Sequence, residues 1–235
     1  MRVERRFPTA GGSTVTVQAG ILDPLTGERP ADDFYRVAQA GEASRQPAYA
    51  SRVAWVSANQ ARPVAFGVGG YYSRQDWGSG RTVDGWAVTA DASVPISRLF
   101  SFTGEFYRGR GIGGLGGGLG NTVLYYGPTA STATRFEGLD AIGGWSQLKM
   151  RASSTLEFNL AAGQDNPFAQ QFRSAVLAGA PYAGTVRNRT LLTNFIYRPR
   201  SDLLLSMEYR HIESVKLAAP TRDADQFNLM MGVLF

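Results

Sequence analysis

The stretch FYRGRGIGGLGGGLG (Phe106–Gly120) contains a G-x-G-x-x-G at Gly109, Gly111 and Gly114. In a dinucleotide site such glycines open a helix whose N-terminal N–H groups face the pyrophosphate, and an acid about 20 residues on holds the ribose. A strand-like run does precede Gly109. The residues downstream, LGGGLGNTVLYYGPTASTAT, have no helical period and no acidic partner at that distance. The glycines therefore read as a loop that turns sharply and packs closely. His211 is the only histidine, so any Ser/His/Asp chemistry must pass through it. Its surroundings, EYRHIES, hold no D-x-H pair, and nothing marks a serine partner. Asp165 and Asn166 in GQDNPF could offer oxygens to calcium, but Gly, Asp, Asn and Pro together read first as the chemistry of a turn. No metal, cofactor or catalytic residue is assigned.

Composition bounds the classes. The 235 residues suit one large all-β domain or two small mixed ones, and the absence of cysteine removes disulfides and thiolate metal sites. Charged residues make up 18%, low beside the roughly 25% usual in soluble domains. The formal net charge is +5, yet the arginines are scattered singly, so no nucleic-acid partner is expected. No apolar run is long enough for a membrane-spanning helix. Residues 1–12 open with the charge of a secretory n-region and lack its apolar core. They read as an N-terminal segment without a signal peptide, followed by a single domain over 13–235.

The elements that would position any chemistry are strands. Alternation of period two recurs at 13–22, 48–57, 64–73, 82–95, 99–108, 141–151, 155–163, 189–198, 202–212 and 226–235. One set of faces is apolar: Trp86, Val88, Ala90 and Val94; Phe100, Phe102 and Phe106; Leu203, Leu205, Met207 and Tyr209. The other set carries Arg52, Asp91, Glu105, Lys149, Arg151, Glu157, Arg198, Glu208 and Arg210. The connections sort by length. Those at 58–63, 96–98, 152–154 and 199–201 are short, while 23–47, 109–140 and 164–188 are long and irregular. An up-and-down meander gives this pattern when its two ends face different compartments, as in transmembrane β-barrels. The Greek-key crossings of a soluble sandwich would not sort loops this way.

The terminal QFNLMMGVLF makes the reading specific. Phe227, Leu229, Met231, Val233 and Phe235 share one face and the chain ends on Phe. This resembles the C-terminal signal of Gram-negative outer-membrane barrels, and GGWSQLKMR, FNLAAGQDNPF and YRPRSDLLLSMEYR are similar in style to porin-like members. The resemblance implies an all-β, antiparallel, up-and-down transmembrane barrel with about ten strands in this chain. It implies location in the cell outer membrane, contact with outer-membrane lipid, reading of the terminal strand by the barrel-assembly machinery, and passive diffusion of small hydrophilic solutes without catalysis. It leaves a homotrimer open. The departure from the pattern is the missing signal peptide, so the chain is expected to be a mature region or the C-terminal part of a longer barrel. Two alternatives stand beside the channel: a barrel enzyme of protease or lipase type, which would need a rim constellation at His211, and a non-conducting structural or adhesive barrel.

In the channel reading the charged residues of the second face are pore-lining candidates. Loop 109–140 would fold inward and narrow the pore, and the slight basic excess leans toward anions. Each charged pair can equally serve to hold adjacent strands together. By parity His211 points outward at the rim.

Overall fold

A computed structural model describes residues 1–28, 38–59, 61–129, 131–179 and 184–233. Eleven strands form one antiparallel sheet in chain order: β1 (Arg2–Pro8), β2 (Thr14–Leu22), β3 (Ala48–Val56), β4 (Ala65–Asp76), β5 (Thr82–Pro95), β6 (Phe100–Arg110), β9 (Asp140–Arg151), β10 (Leu156–Pro167), β11 (Thr185–Arg200), β12 (Leu203–Lys216) and β13 (Arg222–Val233). Within the β6–β9 connection, β7 (Val123–Tyr126) and β8 (Arg135–Gly138) pair with each other as a separate hairpin. Among the described residues the sheet has no crossover, and β1 and β13 are its two edges. All ten expected strands are present. Phe235 lies outside the described residues.

Three differences from the sequence reading have local causes. Residues Arg2–Pro8 form a paired strand in register with β2. Their alternation is blurred because Arg5 stands on the same face as Val3 and Phe7. Gln164–Pro167, read as a turn, continues β10 in register with β9. The helix α2 (Ala169–Leu177) comes directly after it. It buries only Phe172 and Ala175, too narrow an apolar face to show a helical period. A single turn, α1 (Ala40–Ala43), lies between β2 and β3.

Turn chemistry explains how the strands reverse at the short-turn end. In 96–99 the Ser97 hydroxyl accepts the N–H groups of Leu99 and Phe100 at 3.1 and 3.0 Å. Ser153 does the same in 152–155 for Thr155 and Leu156, at 3.2 and 3.1 Å. A serine that satisfies two turn N–H groups stabilises the reversal without a longer loop. At the other end the sorting is looser than expected. The 23–47 and 111–139 connections are long, but β4–β5 and β12–β13 turn within 77–81 and 217–221 because these strands run on beyond the apolar alternation.

Burial is inverted relative to a soluble sheet. The apolar face is exposed along its length, with Val88 56% and Leu160 50% accessible. Its aromatic residues gather toward the two strand ends. Phe7, Trp55, Phe66, Phe102 and Tyr197 are exposed near the short turns, and Tyr49, Tyr72, Trp86 and Phe227 near the long loops. Paired aromatic girdles around an apolar band are how a β-barrel meets the two membrane–water interfaces. Beyond the loop-end girdle the same face turns ionic, with Arg74–Asp84 at 3.9 Å and Arg189–Glu213 at 3.6 Å. The buried apolar cluster lies among the loops instead, where Leu124, Leu139, Phe172, Ala175 and Val186 join β7, α2 and β11.

Candidate functional site: a loop seated on the polar face of the sheet

The strand register places Arg52, Asp91, Glu105, Lys149, Arg151, Glu157, Arg198, Glu208 and Arg210 on one face, opposite the exposed apolar one. They fall into three groups. Toward the short-turn end Glu157, 7% exposed, forms ion pairs with Lys149 at 3.6 Å and Arg198 at 3.4 Å. Arg151 stands directly opposite Glu157 in register and makes no ion pair among the described residues. Next to them runs a chain of amides, Gln147 donating to Asn159 and Asn159 to Asn194, each at 2.8 Å. On β12, Arg210 pairs with Glu208 on its own strand at 2.9 Å, and Asn228 donates to the same carboxylate.

The third group lies mid-sheet. Asp91 and Glu105 are direct cross-strand partners, a placement of like charges that is unfavourable by itself. Arg52 relieves it by reaching from β3 across β4 to Asp91, with Nε–Oδ2 at 3.1 Å and Nη2–Oδ1 at 2.5 Å. The strand it crosses carries Gly67 and Gly69 at that level. A Cβ on Gly67 would collide with both the guanidinium and the carboxylate. A second strap is built the same way. Tyr107 on β6 passes over Gly143 of β9 and donates its hydroxyl to Asp165 of β10 at 2.5 Å. Both straps are legible only once the intervening strand is known, because the partners lie far apart in sequence. Gly67→Leu is expected to displace Arg52 from Asp91 and lower the unfolding midpoint of the detergent-folded protein. An unchanged midpoint would show that the strap contributes nothing to stability.

Asp165 also anchors the long connection. The backbone N–H groups of Gly118 and Leu119 donate to its two oxygens at 3.2 and 2.7 Å. Gly118 and Leu119 both have left-handed backbone, φ +63° and +56°. Successive N–H groups held this way form an anion-binding nest. The glycine-rich segment thus does cradle an anion, but the anion is the protein's own Asp165. No helix opens there; the segment makes two short 3-10 turns, Gly113–Leu115 and Gly118–Gly120. Gly114 packs where a Cβ would strike the Leu25 carbonyl, so the 111–139 connection is pressed between the sheet and the segment after β2. Glu28 completes that contact by accepting the Thr122 N–H at 2.8 Å. Between the segment 112–117 and the polar face lies a cavity of about 740 Å³, lined by Arg52, Asp91, Glu105, Tyr107, Trp145 and Asp165 among others.

The oxygens that Asp165 and Asn166 could offer to calcium do not converge. Asp165 is committed to the nest and Tyr107, and Asn166 comes after it on the opposite face of β10. His211 stands on the apolar face at the loop end, beyond Tyr209. An acid does stand beside it across the strand pair: Nδ1 lies 2.8 Å from Asp225 Oδ1, and Tyr209 donates to the same oxygen at 2.7 Å. Local spacing could not reveal this dyad, since it forms between β12 and β13. The residues opposite and diagonal to His211 on β11 are Leu191, Arg189 and Thr193, so no serine joins the pair from that strand.

No family model matches the chain, and no curated protein matches it by sequence. Solved structures match it by shape. The outer membrane channel DcaP of Acinetobacter baumannii superposes with a TM-score of 0.68 and 15% identity, over 100% of this chain and 62% of that one. The anion-selective porin from Comamonas acidovorans gives a TM-score of 0.54 at 10% identity, over 99% of this chain and 58% of that one. The chain therefore spans less than two thirds of the length of either structure.

Proposed function

We propose that this chain, whose fold is that of the porin-like outer-membrane β-barrels, forms the wall of a water-filled channel for passive diffusion of small hydrophilic solutes. The observation that carries the proposal is the pairing of an exposed apolar face, girdled by aromatics at both ends, with a charged opposite face on which a connecting loop is seated. A lipid-facing exterior and a polar interior give this inversion. In this reading the charged residues from Arg52 to Arg210 line the pore, and segment 111–139 narrows it. The exposed apolar band would contact outer-membrane lipid, and Phe227, Leu229, Met231, Val233 and Phe235 would present the terminal strand to the assembly machinery. A homotrimer is compatible with this arrangement.

Catalysis is not needed to explain the site. The His211–Asp225 pair is the feature that favours the enzyme alternative, and it faces away from the cavity. The test is swelling of proteoliposomes in small sugars and amino acids. The chain, refolded and inserted, is expected to admit them at rates that fall with solute size, and His211→Ala is expected to leave those rates unchanged. Inserted protein that admits no solute would favour the structural or adhesive alternative. Hydrolysis of lipid or peptide that disappears with His211→Ala would favour the enzyme.

A further inference from the structure

We infer that the cavity between segment 112–117 and the sheet selects for small cations, with Glu105 as the residue that sets the sign. The inference rests on the channel reading for its consequence in transport, but its electrostatic content does not.

The charge balance inside the cavity runs against that of the chain. The sequence carries a net +5, and several arginines stand on the polar face. Among the described residues, only Arg52, Asp91, Glu105 and Asp165 bring charge to the cavity lining. Arg52 is bidentate on Asp91, so that pair cancels at any distance beyond its own size. Asp165 turns both oxygens toward the Gly118 and Leu119 N–H groups and the Tyr107 hydroxyl. Among the described residues Glu105 makes no ion pair of its own, and its Oε2 accepts only the Trp145 indole N–H, at 3.1 Å; Trp145 is 42% exposed. The space therefore holds two uncompensated carboxylates, one of them open to solvent, next to an indole. The uncompensated cations stand elsewhere, where Lys149, Arg151 and Arg198 surround the single Glu157 toward the short-turn end.

A carboxylate on the wall of a narrow aqueous space raises the local concentration of cations and lowers that of anions. The face of the indole beside it adds attraction for an alkylammonium or similar soft organic cation. The ligand class is thus a small monovalent cation, inorganic or organic. The basic group toward the short turns lies along the same face and would admit anions to that end without letting them through the cavity.

Trp145 is a built-in probe. Its emission, taken as the difference between the protein and Trp145→Phe, is titrated at low salt with caesium and with iodide. Each ion's quenching is referred to its quenching of free N-acetyltryptophanamide; caesium is then expected to be enhanced and iodide reduced, each on the order of fivefold, the effect of about one unit charge at contact range in water-like surroundings. Glu105→Gln, isosteric and uncharged, is expected to bring both normalised values back toward one. Equal normalised quenching by both ions in the unmodified protein, or normalised values unchanged in Glu105→Gln, would overturn the inference whether or not the chain conducts. In planar bilayers under a potassium chloride gradient, a cation-selective reversal potential that moves toward zero in Glu105→Gln supports it, and an anion-selective one overturns it. Absent conductance with the normalised quenching difference intact would remove the channel reading and leave the charge assignment standing.

Discussion

Val88→Arg is expected to destabilise the membrane-folded protein by about 2–4 kcal/mol, the cost of an arginine at the bilayer midplane on a barrel's lipid face. Val88 lies near the middle of β5, two residues from Trp86 on the apolar face, and is 56% exposed. In a water-soluble sheet an exposed valine of this kind can be replaced by arginine within about 0.5 kcal/mol. The two environments thus predict effects that differ severalfold from one substitution. The measurement is equilibrium unfolding in denaturant from phospholipid vesicles, compared with Thr103→Arg on the polar face of the neighbouring strand. The polar-face change should cost far less. Equal costs on the two faces would mean that the exposed apolar surface does not meet lipid.

The second large effect is expected at Asp165. Asp165→Ala removes the acceptor for the Tyr107 hydroxyl and for the Gly118 and Leu119 N–H groups. A hydrogen bond to a charged group is worth about 1.5–3 kcal/mol, and donors left buried without a partner add their own penalty. The released piece should be the glycine-rich part of the loop rather than the whole connection. The β7–β8 hairpin keeps separate anchors, where Arg81 donates to the Thr129 and Ser131 carbonyls and stacks on Phe136 at 4.3 Å, and where Leu124 and Leu139 join the α2 cluster. Thermolysin cleavage next to Leu115 and Leu119 should therefore accelerate by at least about tenfold, since roughly 1.4 kcal/mol of local stability corresponds to that factor. Asp165→Asn, which keeps the shape and one acceptor oxygen, should fall between the two. Unchanged cleavage in Asp165→Ala would show that the nest does not hold the loop.

The two substitutions probe different levels of the same molecule. Val88 tests what the sheet's faces meet, a property written residue by residue into the strand pattern. Asp165 tests a contact that no local pattern announces. Continuing the alternation of Glu157 and Asn159 by two-residue steps reaches Asp165, so its face was legible. Its turn-like neighbours Gly163, Asn166 and Pro167 concealed that the strand runs so far. Pro167 is tolerated because it is the last residue of β10.

The sequence by itself determined ten of the eleven sheet strands, their up-and-down order, the two chemically distinct faces and the residues on each; β1 and the β7–β8 hairpin appeared only in the structure. Strand side chains alternate strictly, so composition at every second position is enough to assign a face. It also determined that 109–140 is not a nucleotide-binding turn. Only the tertiary structure decided which charges are spoken for. Arg52 with Asp91, Tyr107 with Asp165 and His211 with Asp225 each join residues on different strands, two of the pairs across an intervening glycine. Register and side-chain reach, rather than spacing along the chain, bring them together. For the same reason a chain with a net positive charge can enclose a cavity that is locally negative. Coulomb interactions between exposed charges are screened over roughly 10 Å in physiological salt, so an ion there responds to Glu105 and its immediate neighbours before it responds to the sum.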